Sequence, residues 1–328
     1  MAPRDVVPQR EAASPGSDTP QRRGTGSCLA ERVREPPPDV SDGDVLSAIR
    51  DHWTPEVDEV EHLPVGFGAH HWVASVRGRP TYFVTLDRFG AHHDAESLEA
   101  AYSAASRLMF PLDFVVAPVP STAGTLTRPF AGGALSVTPW INAENPSGLD
   151  LATTSALLTR LHAVPPPSGL PPWRTLTEPS LPDDLAELGS DRWDSGPYGE
   201  RARGALRGRL DAVAEWSADY HALAELAQRK PWVVTHGEPH ERNQVVVVGT
   251  TLLVDWESVR LAPAERDWRT LVDGGLPPAG LDAAMLDLFD LEWRLDEISQ
   301  YAAWFAAPHT GTASDRVAIG GLLHELTR

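Results

Sequence analysis

The spacing of apolar residues changes character several times along the chain, and each change marks an element. VLSAIRDHW, within Asp44 to Trp53, has the i, i+4 spacing of a short amphipathic helix. Val57 to Leu63, Trp72 to Val76 and Thr81 to Leu86 have the character of strands. AESLEAAYSAASRLM places Leu98, Tyr102, Ala105 and Leu108 on one helical face. Two shorter strand candidates follow, near Phe114 to Val116 and Leu135 to Thr138. Beyond Pro139 the pattern is mostly helical: Leu149 to His162, then Leu206 through Leu226 up to Arg229, Leu281 to Phe305, and Ala318 to Leu326. Between the first two of these, Ala163 to Tyr198 is punctuated by Pro and Gly and predicts loops with short helical turns.

This order predicts an α+β chain of two lobes, a small antiparallel-sheet lobe over 39–138 and a larger, mostly helical lobe over 139–328. Residues 1–38 lack apolar periodicity and end in Pro36-Pro37-Pro38, so they are expected to form a disordered Pro/Arg/Ser-rich tail.

Composition narrows the partners. A net charge of −18 disfavours nucleic acid and anionic membranes and suits a cationic ligand. Neither a signal-peptide pattern nor an apolar run of about 18 residues occurs, which predicts a cytoplasmic protein with no membrane contact. Nothing in the sequence implies a partner protein. Cys28 is the only cysteine, so a disulfide framework or a cysteine zinc site within one chain is excluded. Lys230 is the only lysine.

One stretch concentrates ionisable and amide groups: WVVTHGEPHERNQVVVVGTTLLVDWESV, residues 232 to 259. Two β-branched runs flank Gly249-Thr250, which predicts a hairpin with a type II′ turn. In that register Gln244 pairs with Asp255 and Asn243 lies opposite Trp256, so the Asn243 and Asp255 oxygens emerge together and could share a Mg²⁺ ion. Strict strand alternation would send the two to opposite faces, so Asn243 has to leave strand geometry. Glu238, between Gly237 and Pro239, supplies a third acidic group suited to a general base. His236, Glu238 and His240 also spell HxExH, but Gly237 and Pro239 break the helical presentation that a zinc site of this kind needs.

The strand, the loop HGEPHERN and the hairpin ending in LLVDWE resemble the aminoglycoside phosphotransferase and choline-kinase group of protein-kinase-like folds. The group's hallmark is an HGDxxxxN loop followed by a metal-binding aspartate. The resemblance extends over residues 44 to 308, taking in the GFG turn at 66–68, the extended link at Thr138-Pro139-Trp140 and the segment LAPAERDW with Asp267. It implies phosphoryl transfer from ATP, or GTP, to a hydroxyl of a small sugar-like or cationic acceptor, with Mg²⁺ bridging the phosphates. Antibiotic inactivation is the corresponding physiological role.

Carried onto this sequence, the resemblance implies that Glu238 is the catalytic base, that Asn243 and Asp255 hold the metal with Glu257 as a further contact, and that His236 supports the loop. Asp267 would brace the same loop. Gly66, Gly68, His71, Thr85, Pro139, Trp140 and Ile141 would face the nucleotide. Two positions depart from the pattern. Glu238 stands where Asp is usual, and Thr85 stands where the phosphate-pairing lysine is expected, leaving His70, His71 or Arg88 as the nearest substitutes and Glu96 or Glu99 without the usual partner. A kinase-shaped protein that binds nucleotide or a metabolite without transferring phosphate is the alternative that Thr85 raises.

Overall fold

The structure is a computed structural model that describes residues 35–65, 69–90, 93–143, 146, 148–277 and 279–328. The amino-terminal lobe opens with helix α1 (Asp42–His52), started by a reciprocal cap in which Ser41 and Asp44 satisfy each other's backbone N–H groups. Strands β1 (Glu59–Leu63), β2 (His70–Val76) and β3 (Arg79–Arg88) form a meander. Helix α2 (Ala95–Leu108) then leads to β4 (Thr127–Phe130) and β5 (Gly133–Pro139). The five strands make one antiparallel sheet in the order β1-β2-β3-β5-β4. Strand β4 was not foreseen. Phe114 to Val116 joins the fold by a bridge from Val115 to Leu253 and not as a full strand.

The two faces of this sheet differ, and the difference positions the site. Trp72, Ala74, Val84, Leu86, Leu135 and Val137 point to one side and bury against Val45 and Ile49 of α1. The alternating residues, among them His71, Phe83, Thr85 and Asp87, point to the other side. There Leu98 and Tyr102 of α2 cluster with Ala134.

The carboxy-terminal lobe contains α3 (Leu151–His162), α4 (Leu181–Leu188), α5 (Gly199–Arg207), α6 (Leu210–Ala227), α8 (Ala283–Ala306) and α9 (Ala313–Glu325). Where the apolar pattern predicts one helix through Leu206 to Arg229, two occur, α5 and α6, separated at Gly208-Arg209. Two short sheets are inserted: β6 (Val233–Thr235) pairs with β9 (Arg260–Ala262), and β7 (Gln244–Val247) with β8 (Thr250–Leu253). Helix α7 (Glu265–Asp273) follows β9. Ala101, Ala104 and Leu108 of α2 share a core with Leu158 and Leu161 of α3, Leu253, Trp256 and Leu271, so packing is continuous from one lobe to the other. Among the described residues no helix is long and apolar enough to cross a membrane.

Candidate active site

The loop between β6 and β7 is fixed by a buried carboxylate. Asp267, in the first turn of α7, is fully buried and receives three hydrogen bonds: from the backbone N–H of His236 at 3.0 Å, that of Gly237 at 2.7 Å, and Nε2 of His162 at 2.9 Å. Burial, the largest influence on this carboxyl, works to raise its pKa. The hydrogen bond from His162, the charges of His162 and His236, and the Gly237 N–H outweigh it and hold the group below the usual carboxylate range. Asp267 therefore stays ionised and clamps the loop backbone.

Gly237 sits at φ +101, and a Cβ there would lie 2.6 Å from the Arg266 guanidinium. Only glycine lets Arg266 pass beneath the loop, where its Nη1 donates to Thr235 Oγ1 and to the Ser258 carbonyl.

His236 ties loop to hairpin. Its Nε2 donates to the Val254 carbonyl at 2.9 Å, and its Nδ1 accepts from the Glu238 N–H at 3.3 Å. Burial lowers its pKa, consistent with a neutral ring holding that single tautomer. Gln244, which the sequence did not single out, ties the loop to α3 in the same manner, since its buried amide donates to the Pro239 carbonyl and to Thr154.

The hairpin is shifted from the predicted register. The turn residues are Val248 and Gly249, at φ +48 and +78, so the turn is of type I′ and Val247 pairs with Thr250. Gln244 accordingly faces Leu253, not Asp255, and Asn243 lies level with Val254, whose N–H donates to the Asn243 carbonyl at 3.0 Å. Both primed turns match the right-handed strand twist, and the one observed holds Val248 in a left-handed conformation. Asn243 and Asp255 both leave strand geometry. Asn243 closes a 3₁₀ turn (Glu241–Asn243), and Asp255 takes up a left-handed conformation at φ +67 just past the strand. Aspartate tolerates this conformation better than most residues.

Around this point the charges crowd. Asn243 is buried, and its Nδ2 donates to the Glu238 carbonyl at 3.0 Å, leaving Oδ1 available. The carboxylate of Glu238 lies 3.6 Å from His240 Nε2. Burial acts to raise its pKa, but His240, His236 and Arg266 hold the group below its ordinary range. Glu257 is pushed well up by burial, then by the charge of Asp255 and its hydrogen bond, and its Oε2 is buried without a partner. Asp87, on the inner face of the amino-terminal sheet, is raised to about 7 by burial and by Asp255, while the Tyr102 hydroxyl donates to it at 2.9 Å.

An amide oxygen and two mutually repelling carboxylates, one with an orphaned oxygen, suit a hard divalent cation such as Mg²⁺. Among the described residues no three His, Cys, Asp or Glu side chains form a self-sufficient metal site. Mg²⁺ meets that limit, since it usually takes one or two carboxylates and completes its shell with phosphates and water. A zinc site at HxExH does not form: both ring nitrogens of His236 are spent on Val254 and Glu238.

On the sheet face, His71 Nδ1 lies 3.1 Å from Thr85 Oγ1, and the His71 ring stacks on Phe83, centroids 4.9 Å apart. Phe83 in turn lies 6.5 Å from Trp140, whose N–H donates to the Thr81 carbonyl just past Pro139. Ile141 follows at the start of the link. Gly66 and Gly68 lie outside the described residues. Two substitutes for the lysine are removed by geometry. Arg88 points to the outer face, where it binds Asp39 and the Ala131 carbonyl, and the His70 ring lies with His62 and Trp72. Glu96 is exposed, and Glu99 spends its carboxylate on the Leu126 and Thr127 N–H groups and the Thr127 hydroxyl.

The phosphotransferase enzyme family profile matches residues 60–305. The chain belongs to that family. It is therefore a small-molecule phosphotransferase by descent. The protein StrN of Streptomyces griseus is 30% identical over 226 residues, covering 62% of this chain and 68% of that protein. Two solved structures share the fold. A spectinomycin phosphotransferase in complex with ADP and spectinomycin matches 87% of this chain and 94% of its own at TM-score 0.64 and 14% identity. A microcompartment-associated aminopropanol kinase matches 87% and 95% at TM-score 0.55 and 14% identity. Against the pattern given above, the sequence departs at Glu238 in the loop and at Thr85 on the sheet.

Proposed function

We propose that this phosphotransferase moves the γ-phosphoryl group of ATP to a hydroxyl of a small acceptor, an amino sugar-like antibiotic or a related metabolite, in the cytoplasm. What supports the reading is that Asn243, on a loop braced by Asp267, donates to the Glu238 carbonyl and receives the N–H of Val254, the residue before Asp255. The ADP-bound relative supports a purine nucleotide as donor. The net charge of −18 favours a cationic acceptor.

In this reading Asn243 Oδ1, Asp255 and Glu257 would hold Mg²⁺, which would supply positive charge beside the transferring phosphate. The Glu238 carboxylate accepts a hydrogen bond from the acceptor hydroxyl and aims its oxygen at the γ-phosphorus. The new O–P bond forms as the bond to the bridging oxygen breaks, ADP leaves, and the hydroxyl proton passes to Glu238. A weakly basic carboxylate suffices, because phosphoryl transfer depends mainly on positioning and charge stabilisation. The sheet face with His71 and Thr85 receives the phosphates, and Pro139, Trp140 and Ile141 border the base.

The test is incubation with MgATP and a panel of aminoglycosides and other hydroxylated antibiotics, read by mass. Gain of one phosphate on an acceptor supports the reading. A nucleotide-binding protein without transfer is the second reading, favoured by Thr85 in place of lysine. Nucleotide binding without turnover on any acceptor would establish it.

A further inference from the structure

The sheet face that meets the nucleotide has been rebuilt as a unit around the lost lysine. A simple deletion would leave an unpaired glutamate on α2 and a gap on β3, and neither occurs. Glu99 is fully engaged with the backbone and hydroxyl at the start of β4. Thr85, in register with His71 across β2 and β3, fills the strand position with a hydroxyl that meets the His71 ring. The ring is buried, pinned by Phe83 on its flat face, and lies on the same sheet face as Thr85 and Asp87, within reach of the charge of Asp255.

Resting on the phosphotransferase reading above, we infer that His71, oriented by Thr85, is the phosphate-binding donor of the amino-terminal lobe and takes over the contact that lysine makes in the family. Thr85 Oγ1–H donates to Nδ1, which fixes the proton on Nε2 and directs that N–H toward the phosphates. A neutral donor on a rigid, stacked ring replaces a mobile ammonium. Burial also keeps the ring uncharged, lowering its pKa to about 4. The ring adds no positive charge in the absence of nucleotide, which leaves the acidic cluster of Asp87, Asp255 and Glu257 to be balanced by Mg²⁺. His71 thus acts as a binding residue and Thr85 as its positioning residue.

Calorimetric titration of the full chain with MgADP tests this. His71→Leu keeps apolar bulk but has no donor, and should bind about 10- to 100-fold more weakly, the worth of a hydrogen bond to a charged group. His71→Gln, whose Nε2 amide falls near the same point, should recover most of the affinity. Thr85→Val, close in shape, should weaken binding by less than His71→Leu, and Thr85→Ser should restore it. MgADP affinity unchanged in both His71→Leu and Thr85→Val, or His71→Gln failing as badly as His71→Leu at an unaltered melting temperature, would overturn the assignment. A parent chain that binds no MgADP would remove the phosphotransferase reading along with it; a parent that binds no more tightly than the His71→Leu and Thr85→Val variants removes this inference alone.

Discussion

The two walls of the site are built on opposite plans. The wall from the carboxy-terminal lobe is a set of backbone groups and carboxylates locked by polar side chains: Asp267, His236 and Gln244 hold the loop or hairpin by hydrogen bonds, His162 holds Asp267, and Arg266 ties Thr235 to the Ser258 carbonyl. The wall from the amino-terminal sheet is held by strand pairing and aromatic stacking around the polar residues His71, Thr85 and Asp87, and Thr85 stands where the pattern has lysine. A loop locked in this way suits groups that must be aimed to within a fraction of an ångström. Each wall carries one departure from the pattern, Glu238 in the loop and Thr85 on the sheet.

If this contrast is right, the carboxy-terminal wall should be the less forgiving. Asp255→Ala should lower the rate of phosphate transfer by on the order of 1,000-fold, with the melting temperature little changed, because an exposed carboxylate that serves the metal contributes little to folding. Asp267→Asn should act on both properties. An amide nitrogen would face N–H donors, and losing a buried charged acceptor costs about 3–5 kcal/mol, read from the denaturant midpoint alongside a fall in turnover. In the parent, the stabilisation from Asp267 is present at neutral pH and lost as acid protonates the group, since its pKa is depressed.

Glu297 of α8 has the opposite sign. It is buried, its Oε2 has no hydrogen-bond partner, and burial, followed by the charges of Asp296, Glu325 and Glu238, raises its pKa from 4.5 to about 7 despite a bond from Tyr301. A raised pKa stabilises the fold below the ordinary value and loses that contribution as pH climbs through about 7. Glu297→Gln should therefore match the parent near pH 4.5 and exceed it at pH 8 by up to about 3 kcal/mol in unfolding free energy. The smallest effect concerns the hairpin tip. Val248 is fully exposed and left-handed, a costly conformation for a β-branched residue, so Val248→Asn should stabilise the protein by about 1 kcal/mol in thermal or denaturant melts.

Much of this architecture was legible in the sequence because period and spacing carry it. The meander from β1 to β3, helices α2, α3 and α8, and the link after Pro139 follow from apolar alternation. The Asn243–Asp255 pair follows from a loop and hairpin of fixed length. The register did not follow, because GTT and VGT both offer glycine at a two-residue turn and both primed turn types fit the strand twist. Helix α7 and β9 were missed because LAPAERDWRTL is too short and too polar for its period to stand out, although Asp267 within it was found through the motif. Gln244 and Arg266 left no signal at all: their roles depend on Pro239, Thr154 and Gly237 arriving within hydrogen-bonding or van der Waals reach. The diversion of Glu99 to β4 was equally invisible, since β4 itself was not predicted.

The central claim is that the Asn243 amide and the Asp255 carboxylate share one divalent cation in the presence of nucleotide. Binding of Mn²⁺ with ATP, followed by the paramagnetic resonance signal of the free ion, tests it most directly. The parent and Glu238→Gln should both take up Mn²⁺ when ATP is present, and Asn243→Ala and Asp255→Ala should each lose most of that uptake. Equal uptake by all four proteins would contradict the account.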